Sequence, residues 1–293
     1  MAPVGLGRQG GTGLQREACV RKSLSKAMQS LAKEIADLWT ARTLLAVMVA
    51  RDLKSRHAGS ALGVLWLYAQ PLLTIAAYFL VFDIVFKLRL GEGAPTRALG
   101  AYLVVGIVPW LAFTDAVGRG MMSLVEAGAL LQKNPMPPVL FPVRAVLSSA
   151  VVFVPMIIVL VPLYASHHLF SAALLLLLPL LALAVLTWCL LAYALAILAA
   201  ALRDVIQIVT FVLGVGMFVS PVLFPPSMFP EGLVWLLWIN PMTPAVLGAH
   251  SILLQGSAPG IEVWLGLVAW PALLAVLLDR LVARSREQLI DWL

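Results

Sequence analysis

Residues 145–202 read AVLSSAVVFVPMIIVLVPLYASHHLFSAALLLLLPLLALAVLTWCLLAYALAILAAAL and contain no Asp, Glu, Lys or Arg. One helix crosses the hydrocarbon of a bilayer in ~20 residues, so this run is too long for a single span. It fits two membrane helices, 145–165 and 172–202, joined by a tight turn at Ser166-His167-His168. Arg144 precedes the pair and Arg203-Asp204 follows it. Both ends of the hairpin therefore lie on one side of the membrane. Paired histidines invite a metal reading, but no third ligand lies nearby, and spare polar groups belong at an outward turn. No metal site is expected.

The rest of the chain has the same character. It is 293 residues long, 62% hydrophobic and 12% charged, too poor in charge to cover a soluble domain of that size. Ten of its 20 Lys and Arg fall within residues 1–56. That is the asymmetry of a positive-inside membrane protein, not of a nucleic-acid binder, and it places the N-terminal region in the cytosol. Cys19 and Cys189 fall in different compartments under this topology, so no disulfide framework is expected. No signal-peptide core precedes residue 40.

Outward from the hairpin, the chain divides as follows. Residues 1–23 form a flexible cytosolic tail. Its Gly5-Leu-Gly-Arg-Gln-Gly10 spells a dinucleotide fingerprint with no strand before it and no βαβ unit after it, so the match is compositional. Residues 24–60 are amphipathic: Leu24, Met28, Leu31, Ile35, Leu38, Leu44, Leu45, Met48 and Val49 oppose Lys26, Lys33, Arg42 and Arg51. Such a helix lies along the inner membrane surface or packs on its own bundle. The membrane domain covers 61–283. Span one (62–86) carries Pro71, which predicts a kink, and 87–98 is an outer loop. Span two (99–122) holds Asp115 and Arg119, four residues apart and predicted to neutralise each other as an intramembrane ion pair. The proline-broken loop 123–144 is cytosolic. Span five covers 205–224. Prolines at 225, 226, 230, 241, 244 and 259 cut 225–260 into pieces too short to cross, which reads as re-entrant helices on the outer face. Span six (263–282) leads to a cytosolic tail, 284–293. The expected fold is an all-α polytopic membrane protein with six transmembrane helices, an N-terminal interface helix and both termini cytosolic.

Several short tracts occur in order on this frame: Arg51-Asp-Leu-Lys54, Gly59-Ser60-x-Leu62-Gly63-Val-Leu-Trp66, Gln70-Pro71-Leu72, Gly106-x-x-Pro109-Trp110, Arg203-Asp204-Val205, Ser220-Pro221-Val222 and Asn240-Pro-Met-Thr-Pro244. With them the chain resembles the permease subunits of type-2 ATP-binding cassette exporters, most nearly the branch that exports O antigens, teichoic acids and capsules. It departs from that pattern in the cytosolic loop, where Gln132-Lys133 and Met136-Pro137-Pro138 stand in place of paired lysines followed by Phe-Pro-Arg.

The resemblance implies a non-catalytic permease in the bacterial inner membrane. It implies a second copy of the chain, two copies of a separate ATPase that binds ATP and Mg, and a lipid-linked polysaccharide as cargo. No Gly-x-x-x-x-Gly-Lys-Ser/Thr tract occurs, so this sequence has no P-loop of its own and no cofactor is expected in it. The expected ATPase-coupling residues are Glu126, Leu130, Leu131, Gln132, Lys133 and Asn134. Similar proteins admit the diphosphate head of a polyprenyl-linked glycan near Leu62-Gly63. Arg51, Lys54, Arg56 and Ser60 beside it suit an anionic head, though basic residues there also serve as lipid-surface anchors. Trp66, Tyr68, Tyr78, Phe82 and Trp110 could stack on sugars in the conduit, or belong to the interfacial belt or to helix packing. Two other readings stand beside this one: an exporter of a drug or lipid built on the same plan, and a membrane enzyme or ion-coupled transporter. The last needs ionisable groups at membrane depth, and here only Asp115, Arg119 and Asp83 qualify.

Overall fold

The computed structural model describes residues 31–60, 62–87, 89–91, 96, 99–134, 136–165, 171–285 and 288–293. The expectations for the 1–23 tail, Cys19, most of the outer loop and the Ser166-His167-His168 turn lie outside the described residues. Helices dominate. Residues 31–40 are helical, and α1 (Arg42–Ser55) follows after a one-residue turn at Ala41. Next come α2 (Leu65–Phe79, widened into a π-type extension over Leu80–Val85), α3 (Leu99–Glu126), the short α4 (Gly128–Lys133) and α5 (Leu140–Tyr164). After them α6 (Leu177–Ala201), entered through a 3₁₀ turn at Ala172–Leu176, leads to α7 (Asp204–Gly216). The chain closes with α8 (Val234–Leu237), α9 (Thr243–His250), α10 (Ile261–Ser285) and α11 (Leu289–Trp292).

Among the described residues five helices are long and apolar enough to cross a membrane: α2 with its extension, α3, α5, α6 with its 3₁₀ entrance, and α10. The expected span over 205–224 is helical only as far as Gly216. Its 13 residues rise ~20 Å at 1.5 Å each, short of the ~30 Å hydrocarbon. Gly214 and Gly216 weaken the helix, and Pro221 pushes the residue before it out of helical geometry, so 217–223 runs on as turns.

α3 is the axis of the bundle and packs on α5, α6 and α9. Its small residues make this possible. A Cβ at Gly120 would stand 2.6 Å from Ala192 Cβ on α6, so the two helices meet where neither has bulk. At its other end a Cβ on Gly106 would press on the Val222 carbonyl and the His250 ring. Tyr102 stacks on His250 at 3.9 Å, accepts a 3.0 Å hydrogen bond from its Nε2 at the main-chain oxygen, and donates its hydroxyl to the Pro221 carbonyl at 2.8 Å. The hydroxyl bond satisfies a Pro221 carbonyl that the non-helical stretch leaves without a helical partner.

The segment 225–260 is broken into short pieces, as its prolines predict. Asn240 Oδ1 accepts from the Met242 N–H at 2.9 Å, an Asx turn. The Thr243 hydroxyl reaches back to the Leu237 carbonyl, and Trp188 Nε1 donates to Met242 Sδ at 3.1 Å. The Asn-Pro-Met-Thr-Pro tract thereby fixes the start of α9, which is buried along most of its length.

A second core gathers at the opposite end of the bundle. Leu124, Leu131, Phe141, Ile197, Leu278 and Leu289 pack there with Leu38 and Leu45 of the leading helices. Asp279 of α10 accepts from the Leu31 N–H at 3.0 Å, and Tyr193 of α6 donates to Glu34 at 3.2 Å. The outward face of the leading helices carries Ile35, Trp39, Leu44 and Val47, all exposed, as on a helix whose apolar side meets lipid.

Candidate functional site

The site grows from the C-terminal end of α1. Asp52 and Arg56 stand four residues apart, so they share one helix face, and that face is pressed against α3 and α5. Arg56 bonds Asp52 at 3.4 Å, Asp115 of α3 at 3.2 Å and the Ser149 hydroxyl of α5 at 3.1 Å. Ser149 in turn donates to Asp115 at 2.5 Å. Arg119 bonds Asp52 at 2.6 Å, and Arg144 approaches it at 3.8 Å.

This differs from the pair expected within span two. Asp115 and Arg119 do lie on one face of α3, but each takes its salt bridge from α1, Asp115 from Arg56 and Arg119 from Asp52. The physical reason is that helix neighbours one turn apart gain little from each other. Charges on facing helices are desolvated together, and buried charges must be paired. The side chains of Asp52 and Arg56 are only 9% and 10% exposed, while Asp115 and Arg119 keep 32% and 36%, so the network is buried around Asp52 and Arg56 and open toward solvent at the other two. Burial pulls the Arg56 guanidinium below its ordinary value; Asp115 opposes that shift, and Arg119 adds to it. It remains protonated, because a guanidinium starts from so high a value.

Arg56, Asp115 and Arg119 form the charged end of a cavity of about 700 Å³ between α2, α3 and α5, which Trp66, Gln70 and Thr74 also line. Gly59 and Gly63, on the connection from α1 to α2, have φ of +79° and +54° with open space around them. Backbone conformation, not crowding, calls for glycine there.

The remaining sequence-predicted residues distribute unevenly. Arg51 and Lys54 are exposed, Ser60 is half-buried and Leu62 is exposed. Arg56 is held inside the salt-bridge network and is not a free surface cation. Trp66 and Tyr68 border cavities against α2. Tyr78 and Phe82 stack at 6.1 Å beside the outer cluster of Leu90, Leu99 and Tyr102. Trp110 is buried, 5.5 Å from Phe113. On α4 the faces separate: Leu131 is buried at 7% while Leu130 is 45% exposed, and Glu126, Gln132, Lys133 and Asn134 also face outward. Gly128 backs onto Leu293, whose carbonyl would stand 2.9 Å from a Cβ at that position. Among the described residues no group of three His, Cys, Asp or Glu could hold a metal ion.

Sequence reasoning did not single out Asp52, Arg144 or Ser149. The Asp52/Arg56 spacing was the available signal, since two opposite charges one turn apart, just before a span, form a half-network awaiting partners. Ser148-Ser149, a polar pair inside a charge-free run, was the other.

Comparison with known proteins gives consistent results. The profile of the family described as ABC-2 type transporter matches residues 43–254. An O-antigen export system permease protein RfbA of Myxococcus xanthus is 28% identical over 263 residues, 88% of this chain and 98% of that protein. A protein of the same name from Klebsiella pneumoniae is 24% identical over 221 residues, 73% of this chain and 81% of the relative.

Proposed function

The chain belongs to the ABC-2 type transporter family, and from that premise we propose that it is the permease subunit of an ATP-driven exporter of a lipid-linked polysaccharide of the O-antigen class. The relatives named for O-antigen export support the cargo. In this reading two copies of the chain work with two copies of a separate ATP-binding cassette ATPase that binds ATP and Mg. The permease sits in a bacterial inner membrane with both termini cytosolic. α7 and the turns that follow it make the sixth passage, and 225–260 forms the re-entrant outer segment.

One observation carries the mechanism. The leading helices are tied to the spans by the Asp52, Arg56, Asp115, Arg119 and Ser149 network, and α4 offers an exposed face beside the same core. A push on α4 or α1 by an ATPase is thereby transmitted to α3 and α5 through directional, partly desolvated bonds, and α3 packs on α2, α5, α6, α7 and α9. The Gly59–Gly63 connection, with the exposed cations Arg51 and Lys54 just before it, is where an anionic diphosphate head enters. Trp66 and Tyr68 line the way.

The test separates coupling from folding. In cells carrying the cognate ATPase and glycan assembly genes, Leu130→Glu is expected to leave the permease in the membrane and abolish surface O antigen. Leu131→Glu, at a buried position, is expected to lower the amount of folded protein instead. Gly63→Trp is expected to block export in a normally inserted chain. Full export by both Leu130→Glu and Gly63→Trp would overturn the reading. ATPase stimulation by hydrophobic drugs and not by lipid-linked glycan would replace the cargo.

A further inference from the structure

A second cavity lies beside the charged one, along the same three helices. On α2 the lining passes from Pro71 to Leu72, on α3 from Leu111 to Val108 and on α5 from Phe153 to Pro155, where the second cavity, of about 670 Å³, begins. Beyond that point the walls are almost wholly apolar, with Ile75, Val108, Met156, Val159 and Leu163 among them. Each cavity lies in the range of ~300–1,000 Å³ usual for small-molecule sites. The groove opens along α2, which touches α3 and sets Leu67, Tyr68, Ile75 and Tyr78 against the core but has no fully buried residue, in the helix or in its π-type extension.

The charges specify what suits the polar end. Arg56 and Arg119 line it against Asp115 alone, which leaves one positive charge in surplus. The whole network gives the same balance, with Arg56, Arg119 and Arg144 against Asp52 and Asp115. Arg119 Nε and Arg144 Nε are buried without a hydrogen-bond partner. An uncompensated cation beside hydrocarbon is costly, and a single negative charge restores neutrality. A diphosphate, with two or more, overshoots.

We infer that the groove between α2 and the α3–α5 face binds one anionic glycerophospholipid, its phosphodiester at Arg119 and one acyl chain along Val108, Met156 and Val159. The lipid is a resident of the permease and not its cargo, so the site stands whatever glycan is exported. It fills the groove beside α2 and neutralises the network that joins α1 to the spans.

The experiment takes the full chain in nanodiscs of phosphatidylcholine with a minor fraction of phosphatidylglycerol. The discs are then exchanged into detergent, and the retained lipid is identified by native mass spectrometry. Wild type is expected to keep one phosphatidylglycerol per subunit in preference to phosphatidylcholine. Arg119→Gln is expected to lower that preference about fivefold, the equivalent of ~1 kcal/mol for one basic residue at an anionic head group. Arg119→Lys, which keeps the charge, is expected to retain most of it. Val159→Trp, at a position 57% exposed and so tolerant of bulk, is expected to reduce retention of both lipids by filling the apolar end. Equal retention of the two lipids by wild type would overturn the inference. So would unchanged retention in Val159→Trp, displacement of phosphatidylglycerol by polyprenyl diphosphate in an Arg119-dependent manner, or an α2–α2 disulfide between two Leu72→Cys copies that excludes lipid.

Discussion

Helices α2 and α3 are equally hydropathic over their most apolar stretches, yet 78% of that stretch is buried in α3 and none of it in α2 with its extension. The difference lies in side-chain size. α3 carries Gly100, Gly106, Gly118 and Gly120 with Ala112 and Ala116, whereas Leu65 to Val85 contains no glycine. Without a hydrophobic force between helices in lipid, close packing depends on small residues that bring backbones together. α3 is accordingly gripped from several sides, while α2 and α7 present Leu73, Ile84, Ile208 and Phe211 outward. Rigid centre and loose flanks are what a transporter of this plan needs: a frame that receives force, and helices free to part.

Substitution at the centre should cost the most. Trp188 on α6 is 1% exposed and donates to Met242, so Trp188→Ala is expected to lose ~3–5 kcal/mol of stability, as large-to-small core changes do. Thermal unfolding of the purified chain would show it, and a loss no greater than that of a flank variant would erase the distinction drawn between the two regions. The network that joins them ranks next. Asp52→Ala leaves Arg119 and Arg56 without their shared carboxylate, and breaking a buried pair costs ~3–5 kcal/mol. Arg119 is itself 36% exposed, so water screens part of that penalty and the loss should fall at or below the low end. A second effect sharpens the comparison: with the ties cut, accelerated proteolysis between α1 and α2 is expected before the bundle itself unfolds, and simultaneous cleavage throughout would contradict it. Smallest of all, Leu73→Ala and Phe211→Ala should each change stability by no more than ~0.5 kcal/mol in the isolated chain, as exposed substitutions usually do. A much larger loss would mean that these faces are packed on protein already.

Much of this was legible in the residues. The charge-free run 145–202 required two membrane helices, the prolines of 225–260 required short pieces, and the amphipathic pattern of 24–60 predicted helix, which is described from residue 31. The helix that ends at Gly216 was legible only in part: hydropathy continued to Phe224 and masked the glycines and the Ser220-Pro221 break. The segment 126–134 was legible as a break between spans, but its six expected coupling residues could not be divided into an exposed Leu130 and a buried Leu131 without knowing what lay beneath them. Trp110 sits in an apolar context like that of Trp66, and only the packing buries the one and leaves the other exposed.

Sequence alone determined that this chain crosses a membrane repeatedly and that 225–260 is broken into short pieces, because the cost of polar groups in hydrocarbon and of proline in a helix is set residue by residue. Tertiary structure alone decided that Asp115 answers Arg56 and Arg119 answers Asp52, and that α3 is mostly buried while α2 is not. Pairing and packing depend on which surfaces are desolvated together, and that is a property of the assembled helices, not of the order of letters within any one of them.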